Sequence, residues 1–243
     1  MTENEIDIET PGGLMNTFIA YPDEGGPYPV ALFLMDAMGR RNELHNMARR
    51  LAGAGYYVLL PNLYYRTIRE YISDWSDKEK EMEIMFGHMS SISSSMIVED
   101  CRALLEYADS QEPAKSGPVG AVGYSMSGAF VFAAAAEFPD RIKAAASIFG
   151  YQLFTDETDS PHLTANQIEG EIYFACAGND EYVPLQEIDK LETHLNTLGI
   201  NSRVEIYPGT AHNFTFPEDN EEYDEQATER HWKEILELFE RRL

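Results

Sequence analysis

The sequence predicts an α/β protein in which a doubly wound, mostly parallel sheet carries helices on both faces. Short apolar runs alternate with amphipathic segments from residue 29 onwards, which is the pattern of strands and helices in turn. Several of these runs are apolar throughout, as in strands that are buried on both faces. The alternation shows no internal repeat and no linker. Strands that alternate with helices form a parallel sheet through right-handed helical crossovers. Because no linker interrupts this pattern, we predict one domain over residues 1–243.

The elements follow in a definite order. The runs IDIETPGG (6–13) and LMNTFIAYP (14–22) flank a Pro-Gly-Gly turn, and this arrangement predicts an N-terminal antiparallel hairpin. The predicted elements after it are strand 29–36, helix 42–51, strand 56–63, helix 95–110, strand 118–125, helix 126–138, strands 142–150 and 171–178, helix 185–199, strand 202–209 and helix 224–243. Glycines close the first and fourth of these helices, since glycine readily adopts the left-handed conformation that ends a helix.

Residues 64–91 interrupt this alternation. The segment is too long for a simple connection between a strand and its helix. In an open α/β sheet, ligands bind beyond the carboxyl ends of the strands, where such an insertion emerges. We therefore predict a lid-like excursion over a site. A surface excursion with an extra helix is the alternative.

The charge of the chain excludes some classes of partner. It has 42 acidic and 18 basic residues, and its formal net charge is −24. Such a protein repels nucleic acids and anionic membranes, so we predict neither as a partner. The first ten residues are acidic and polar, unlike a signal peptide, and no apolar run approaches the roughly 20 residues of a membrane span. We expect a cytoplasmic monomer or small homo-oligomer that acts on a small molecule.

Metal and cofactor sites are not predicted. Cys101 and Cys176 are the only cysteines, and they lack metal-like spacing, so we expect two reduced thiols in the core. The six histidines form no zinc-binding pattern. One of them, His231, lies in the closing helix, where we expect it to be exposed to solvent.

The stretch VGYSMSG (122–128) nearly matches the G-x-S-x-G pattern of a nucleophile elbow, although Ser127 stands in place of the last glycine. A sharp turn between a strand and a helix needs small residues two positions either side of the nucleophile. Gly123 and Ser127 meet this need around Ser125. Ser127 itself would lie inside the helix, with no strand leading to it. We therefore predict that Ser125 is the nucleophile.

A serine hydroxyl needs a base to remove its proton, and that base needs an orienting carboxylate. In this architecture the acid and the base follow the serine in that order, each in a loop after a later strand. Asp180 follows the strand 171–178, and His212 follows the strand 202–209. Ser125, Asp180 and His212 thus form a predicted catalytic triad.

The same architecture predicts an oxyanion hole. One backbone N–H comes from the residue after the nucleophile, which is Met126. The other comes from the loop after the first parallel strand, in the stretch LFLMDAMGRR, where Ala37 is the predicted donor.

The sequence resembles the dienelactone hydrolase family of α/β-hydrolases over most of its length. The resemblance is carried by PNLYYR, VGYSMSG, IFGYQ, AGNDEYVP and YPGTAHNF, in that order. It implies an α/β-hydrolase fold and the hydrolysis of an ester or a lactone. The family generally has cysteine in the elbow, as G-Y-C-x-G-G. Because Ser125 replaces that cysteine, we identify the chain as a serine-nucleophile variant, with a carboxylic ester hydrolase as the expected enzyme.

The resemblance also implies substrate-binding residues. Arg66 stands where the family has an arginine that binds the substrate carboxylate, and a salt bridge to one of the many acidic residues is the alternative. Independently of the resemblance, we expect Tyr65 either to shape the pocket or to pack beneath the excursion. The family's second arginine, just after the catalytic histidine, is absent from HNFTFPE. Asp36 stands where the family has a glutamate that holds the resting thiol. It has either a positioning role or a structural salt bridge with Arg40 or Arg41.

Two other functions remain open from the sequence. The same triad could pass an acyl group to an alcohol or an amine, which would make the protein an acyltransferase. A non-catalytic protein could instead use the hydrolase scaffold to bind a small ligand, although an intact triad argues against this.

Overall fold

The computed structural model describes residues 1–217 and 221–243. The chain contains two compact units, Met1–Gly117 and Pro118–Leu243. The prediction of a single domain over residues 1–243 stays a prediction. In the described residues, no helix has the length and apolar character that crossing a membrane requires.

The first unit contains four strands and three helices. Their bounds are β1 Thr2–Thr10, β2 Gly13–Tyr21, β3 Tyr28–Leu34, α1 Asn42–Gly53, β4 Tyr57–Pro61, α2 Lys78–Ser90 and α3 Ser94–Asp109. The strands lie in the order β1-β2-β4-β3. Strands β1 and β2 form the predicted antiparallel hairpin, β2 also pairs antiparallel with β4, and β3 pairs parallel with β4.

The segment 64–91 contains one helix, α2, whose residues are mostly exposed. Two aromatic contacts attach this helix to the segment after β4: the ring of His88 lies 4.8 Å from that of Tyr71 and 5.1 Å from that of Tyr64. The Tyr71 hydroxyl also donates to the buried carboxylate of Glu81. An extra helix is therefore present, and its role as a lid stays a prediction.

The second unit contains four parallel strands and three α-helices. Their bounds are β5 Ala114–Tyr124, α4 Met126–Glu137, β6 Ile142–Ile148, β7 Glu171–Ala177, α5 Leu185–Leu198, β8 Ser202–Tyr207 and α6 Glu225–Arg242. The strands lie in the order β5-β6-β7-β8. Parallel strands place their carboxyl ends at the same edge, so the loops after β5, β7 and β8 emerge there together. Strand β5 begins four residues before the predicted start, and the 3-10 helix Pro161–Gln167 was not predicted.

The expectation that His231 is exposed is wrong, because this side chain is fully buried. It lies four residues after Ala227 and four before Ile235, both of which are buried on the same face of α6. Its Nε2 lies 3.2 Å from the hydroxyl of Tyr124. The apolar stripe of the helix therefore includes this histidine, and the period of the helix alone indicates its burial.

Candidate active site

Ser125 lies at the sharp turn between β5 and α4. Its φ of 52° and ψ of −118° are rare for a residue that has a side chain. Hydrogen bonds hold this conformation: the Ser125 N–H donates to the carbonyl of Ile148 at 3.0 Å, and its carbonyl accepts from the N–H of Gly128 at 2.9 Å. The local geometry is that of a nucleophile elbow, which presents the serine hydroxyl at the strand edge.

The elbow depends on the absence of a side chain at position 123. A Cβ atom on Gly123 would lie 2.2 Å from the carbonyl oxygen of Ser127, which is a backbone atom that cannot turn aside. Ser127 fits in place of the usual glycine, and it is fully buried in the first turn of α4. The close approach of β5 and α4 therefore requires glycine at position 123, whereas position 127 has room for serine.

The substitution Gly123→Ala should disrupt the elbow. We expect the variant to unfold or to lose at least about 3 kcal/mol of stability, because a clash with backbone can be relieved only by moving β5 or α4. Thermal unfolding and initial rates on a nitrophenyl ester measure both effects. Gly87→Ala is the matched control, since it adds the same methyl group in α2, where the new Cβ meets no atom within 4 Å apart from its chain neighbours and the backbone of its own helix. A Gly123→Ala variant as stable and active as Gly87→Ala would contradict this account.

The structure brings Ser125, His212 and Asp180 together. The Ser125 Oγ lies 2.9 Å from the His212 Nε2, and the His212 Nδ1 lies 2.8 Å from the Asp180 Oδ2. The side chains of His212 and Asp180 are only 6% and 1% exposed. An ionised carboxylate only accepts hydrogen bonds, so Nδ1 carries the imidazole proton and Nε2 accepts from the serine hydroxyl. This is the arrangement that activates a serine for nucleophilic attack.

The loop after β7 fixes the carboxylate of Asp180. The backbone N–H groups of Tyr182 and Val183 donate to its Oδ1 at 2.9 and 3.2 Å, which leaves Oδ2 for the imidazole. Each oxygen thus has its own partners, and the carboxylate cannot rotate without breaking them.

Two aromatic rings contact His212, and sequence reasoning assigned neither of them a role. The rings of Phe149 and Tyr182 each lie 5.0 Å from the imidazole in edge-to-face geometry. Phe149 is buried and has a φ of 36°, whereas Tyr182 is 43% exposed. Both residues belong to motifs that the sequence shares with its resembled family, IFGYQ and AGNDEYVP, but only the fold shows that these motifs meet at the histidine.

Neither cysteine is available as the nucleophile of the elbow. Cys101 and Cys176 are both free and buried, as predicted. Burial raises the pKa of the Cys176 thiol to about 12, and it also raises the pKa of Cys101, so both thiols are protonated at neutral pH.

Met126 and Ala37, the two predicted oxyanion donors, lie in different units. Met126 is the first residue of α4, where the partial positive charge of a helix N-terminus favours an anion. Ala37 is buried in the first unit, and its carbonyl accepts from the Tyr64 hydroxyl at 2.9 Å. The oxyanion hole stays a prediction.

Asp36 forms a salt bridge with Arg41. Its Oδ1 and Oδ2 accept from the two terminal nitrogens of Arg41 at 2.6 and 2.9 Å, and the Met38 N–H donates to Oδ1 at 3.2 Å. Arg40 instead pairs with Glu5. These contacts favour the structural salt bridge over the positioning role for Asp36.

Arg66 binds a carboxylate of the protein itself. Its terminal nitrogens donate to the two oxygens of Asp100, each at 2.8 Å, and the Tyr65 hydroxyl donates to the same carboxylate at 2.8 Å. Asp100 is fully buried, and burial raises its pKa although the hydrogen bonds from Arg66 and Tyr65 lower it in part. The guanidinium and the Tyr65 hydroxyl therefore satisfy a buried charge, and this geometry favours a structural role over the predicted substrate clamp.

Removing the Arg66 guanidinium should reduce stability and leave substrate preference unchanged. We expect Arg66→Met to lower the free energy of unfolding by about 3–5 kcal/mol, because Asp100 is left buried without its cationic partner. The double variant Arg66→Met with Asp100→Leu should recover most of this loss. In the double variant, the ratio of initial rates on nitrophenyl hemisuccinate and nitrophenyl acetate should match that of the wild type. A selective loss of hemisuccinate hydrolysis would instead place Arg66 in the substrate site.

No group of three or more His, Cys, Asp and Glu side chains within residues 1–217 and 221–243 is placed to hold a metal ion.

Comparisons with known proteins identify the family and the fold of the chain. The model of the dienelactone hydrolase family matches residues 15–243. A Synechocystis sp. protein named for carboxymethylenebutenolidase is 25% identical, over 93% of this chain and 91% of its own, and one from Methylorubrum extorquens is 24% identical, over 97% and 79%. A crystal structure named for dienelactone hydrolase, from Klebsiella pneumoniae, has a TM-score of 0.87 at 20% identity and covers 98% of both chains. This likeness confirms the predicted α/β-hydrolase fold.

Proposed function

Because the chain belongs to the dienelactone hydrolase family, we propose that it is a serine hydrolase that cleaves small carboxylic esters or lactones. One observation carries this proposal: Ser125, His212 and Asp180 form a continuous hydrogen-bonded series, with 2.9 Å between serine and imidazole and 2.8 Å between imidazole and carboxylate. The names of the relatives indicate a hydrolase, and the position of Ser125 at the elbow supports serine as its nucleophile.

The proposed reaction follows from this geometry. The Ser125 Oγ attacks the carbonyl carbon of the ester while its proton passes to the His212 Nε2, and the carbonyl π electrons move to the oxygen. The oxyanion collapses, the bond to the leaving alkoxide breaks, and the imidazolium returns its proton to that oxygen. Water then attacks the acyl-enzyme by the same two steps, which releases the carboxylic acid and restores the serine. Asp180 stabilises the imidazolium in each half of the cycle.

The oxyanion is the charge that this site must stabilise. We propose the Met126 N–H as one donor, because it lies directly after the nucleophile at the start of α4. Ala37 is the second donor that the sequence predicts. Loss of one such donor typically raises the barrier by roughly 3–4 kcal/mol.

A fluorophosphonate probe tests the proposal directly. We expect stoichiometric labelling, with the adduct located by mass spectrometry on the peptide that contains Ser125. Labelling should disappear in a His212→Ala variant, because the serine is then no longer activated. An unlabelled wild-type protein would favour the non-catalytic binding function. If the wild-type protein is labelled, a second experiment uses enzyme that has not been treated with the probe. Analysis of the products that it forms from an ester in the presence of an added alcohol distinguishes hydrolysis from acyl transfer.

A small molecule is the proposed partner, and no partner is proposed among nucleic acids or membranes, since the formal charge of −24 opposes both. A cytoplasmic location and a monomeric or small homo-oligomeric state remain proposals from the sequence.

A further inference from the structure

Tyr182 places an exposed aromatic surface beside the general base of the proposed reaction. Its ring lies 5.0 Å from the imidazole of His212, at an interplanar angle of 69°. The residue is 43% exposed, whereas His212 is only 5% exposed. An aromatic side chain of this size usually buries most of its surface. Part of the Tyr182 side chain is therefore open to a ligand that binds next to the histidine.

The charges around this ring are negative. Burial raises the pKa of the Tyr182 hydroxyl, and the nearby carboxylates of Glu181, Glu222 and Asp180 raise it further. The carboxylate of Asp180 is hydrogen-bonded to His212. Glu181 is exposed and lies next to Tyr182 in the chain, so its charge acts mainly at the surface. The phenol thus stays neutral, and the field at its ring attracts a cation.

The proposed reaction brings the leaving group close to His212, which contacts this ring. The leaving oxygen takes its proton from the His212 Nε2, so it must lie within about 3 Å of that atom. A group two or three bonds beyond this oxygen comes within contact range of a ring that lies 5.0 Å from the imidazole. The face of a tyrosine ring attracts ammonium groups, and nearby carboxylates add to that attraction.

We propose that the site selects esters whose alcohol portion carries a permanent cation, such as a quaternary ammonium group, and that Tyr182 contacts this cation. The proposal rests on the proposed serine hydrolase function and specifies its substrate class. The engagement of Arg66 by Asp100 agrees with it, because the guanidinium that would favour an anionic substrate already has a carboxylate partner.

Two thioesters of the same shape test the selection. Acetylthiocholine carries a trimethylammonium group, and S-(3,3-dimethylbutyl) thioacetate replaces its nitrogen by carbon. The ratio of their kcat/KM values isolates the charge, because the acyl group and the leaving sulfur are the same. We expect the cationic thioester to be preferred about threefold to tenfold at low ionic strength, and the preference to shrink in about 1 M NaCl.

Four variants assign the preference to its residues. Tyr182→Phe keeps the ring and should keep most of the ratio, whereas Tyr182→Leu removes the ring and should bring the ratio close to one. Glu181→Gln should lower the ratio, since it removes a carboxylate beside the ring. Glu240→Gln is the matched control, because it also removes one exposed carboxylate and should leave the ratio unchanged. Glu240 adjoins Arg241 and Arg242, which pair with Glu171 at the start of β7, whereas Tyr182 follows the end of that strand. Comparing ratios cancels any general effect of a substitution on the triad.

Binding of tetramethylammonium provides a test that does not need turnover. Saturation-transfer NMR should detect contact between this ion and the wild-type protein, and the signal should be lost in Tyr182→Leu. A ratio of one or below in the wild type, with hydrolysis of both thioesters dependent on Ser125, would overturn the cation selection while the hydrolase function stands. If neither thioester nor nitrophenyl acetate is hydrolysed, the proposed function is wrong, and the NMR signal alone then decides whether Tyr182 binds a cation.

Discussion

Ser125→Ala should lower kcat for ester hydrolysis by about 10⁴- to 10⁶-fold and leave the fold intact. The substitution removes only the Oγ, which lies 2.9 Å from the His212 Nε2. It keeps the Cβ atom, so the backbone conformation at φ 52° carries the same strain before and after the change. Steady-state rates on nitrophenyl acetate, with circular dichroism and thermal unfolding of the same samples, measure the two quantities separately.

Ser127→Ala is the control for this experiment. Ser127 is the other serine of the elbow motif, and it is fully buried in α4. We expect this variant to hydrolyse the same ester within about threefold of the wild-type rate, because no step of the reaction uses its hydroxyl. Full activity in Ser125→Ala, or an equal loss in both variants, would show that Ser125 is not the nucleophile.

Asp180→Asn should lower kcat by about 10⁴-fold, which is more than the loss of one negative charge alone implies. The Oδ1 position accepts two backbone N–H groups, from Tyr182 and Val183, so the amide oxygen of asparagine must occupy it. The amide NH₂ group then faces the His212 Nδ1 and donates to it. The imidazole is forced to carry its proton on Nε2, where it can no longer accept the proton of Ser125.

The pattern of hydrogen bonds makes this prediction specific. Asp189→Asn serves as the control, since it makes the same exchange at an exposed position of α5 and should leave kcat unchanged within about twofold. The tautomer can be observed by ¹⁵N NMR of the histidine ring in the Asp180→Asn variant. An Asp180→Asn protein that keeps its triad tautomer and loses less than about tenfold in kcat would mean that the carboxylate does not orient the base.

The nature of the site could be predicted from the sequence because its determinants are local. Gly123 and Ser127 are two positions from Ser125, and small residues at this spacing indicate an elbow whatever surrounds it. Asp180 and His212 each follow a strand that is recognisable from its own apolar run. Since parallel strands end at one edge of a sheet, the order of the elements was enough to predict that these loops meet.

The partners of charged residues could not be predicted in this way. Arg66 and Asp100 are far apart in the chain, and many carboxylates compete for each arginine in a protein with 42 acidic residues. Burial makes the choice: Asp100 lies fully inside the protein, where an unpaired charge is costly, and the Arg66 guanidinium donates to it. The family resemblance pointed to a substrate contact at Arg66, and the fold points to this internal pair.

The sequence by itself determined the α/β architecture and the sharp turn at Ser125, because both follow from the period of apolar residues and the spacing of small residues along the chain. The family resemblance added the α/β-hydrolase fold. Only the tertiary structure decided that Phe149 and Tyr182 both contact His212. It also decided that the Phe149 ring is buried and the Tyr182 ring is exposed to solvent. Such contacts join separate loops, and their burial depends on what packs above each ring. No local pattern in the sequence predicts these contacts or the burial of the two rings.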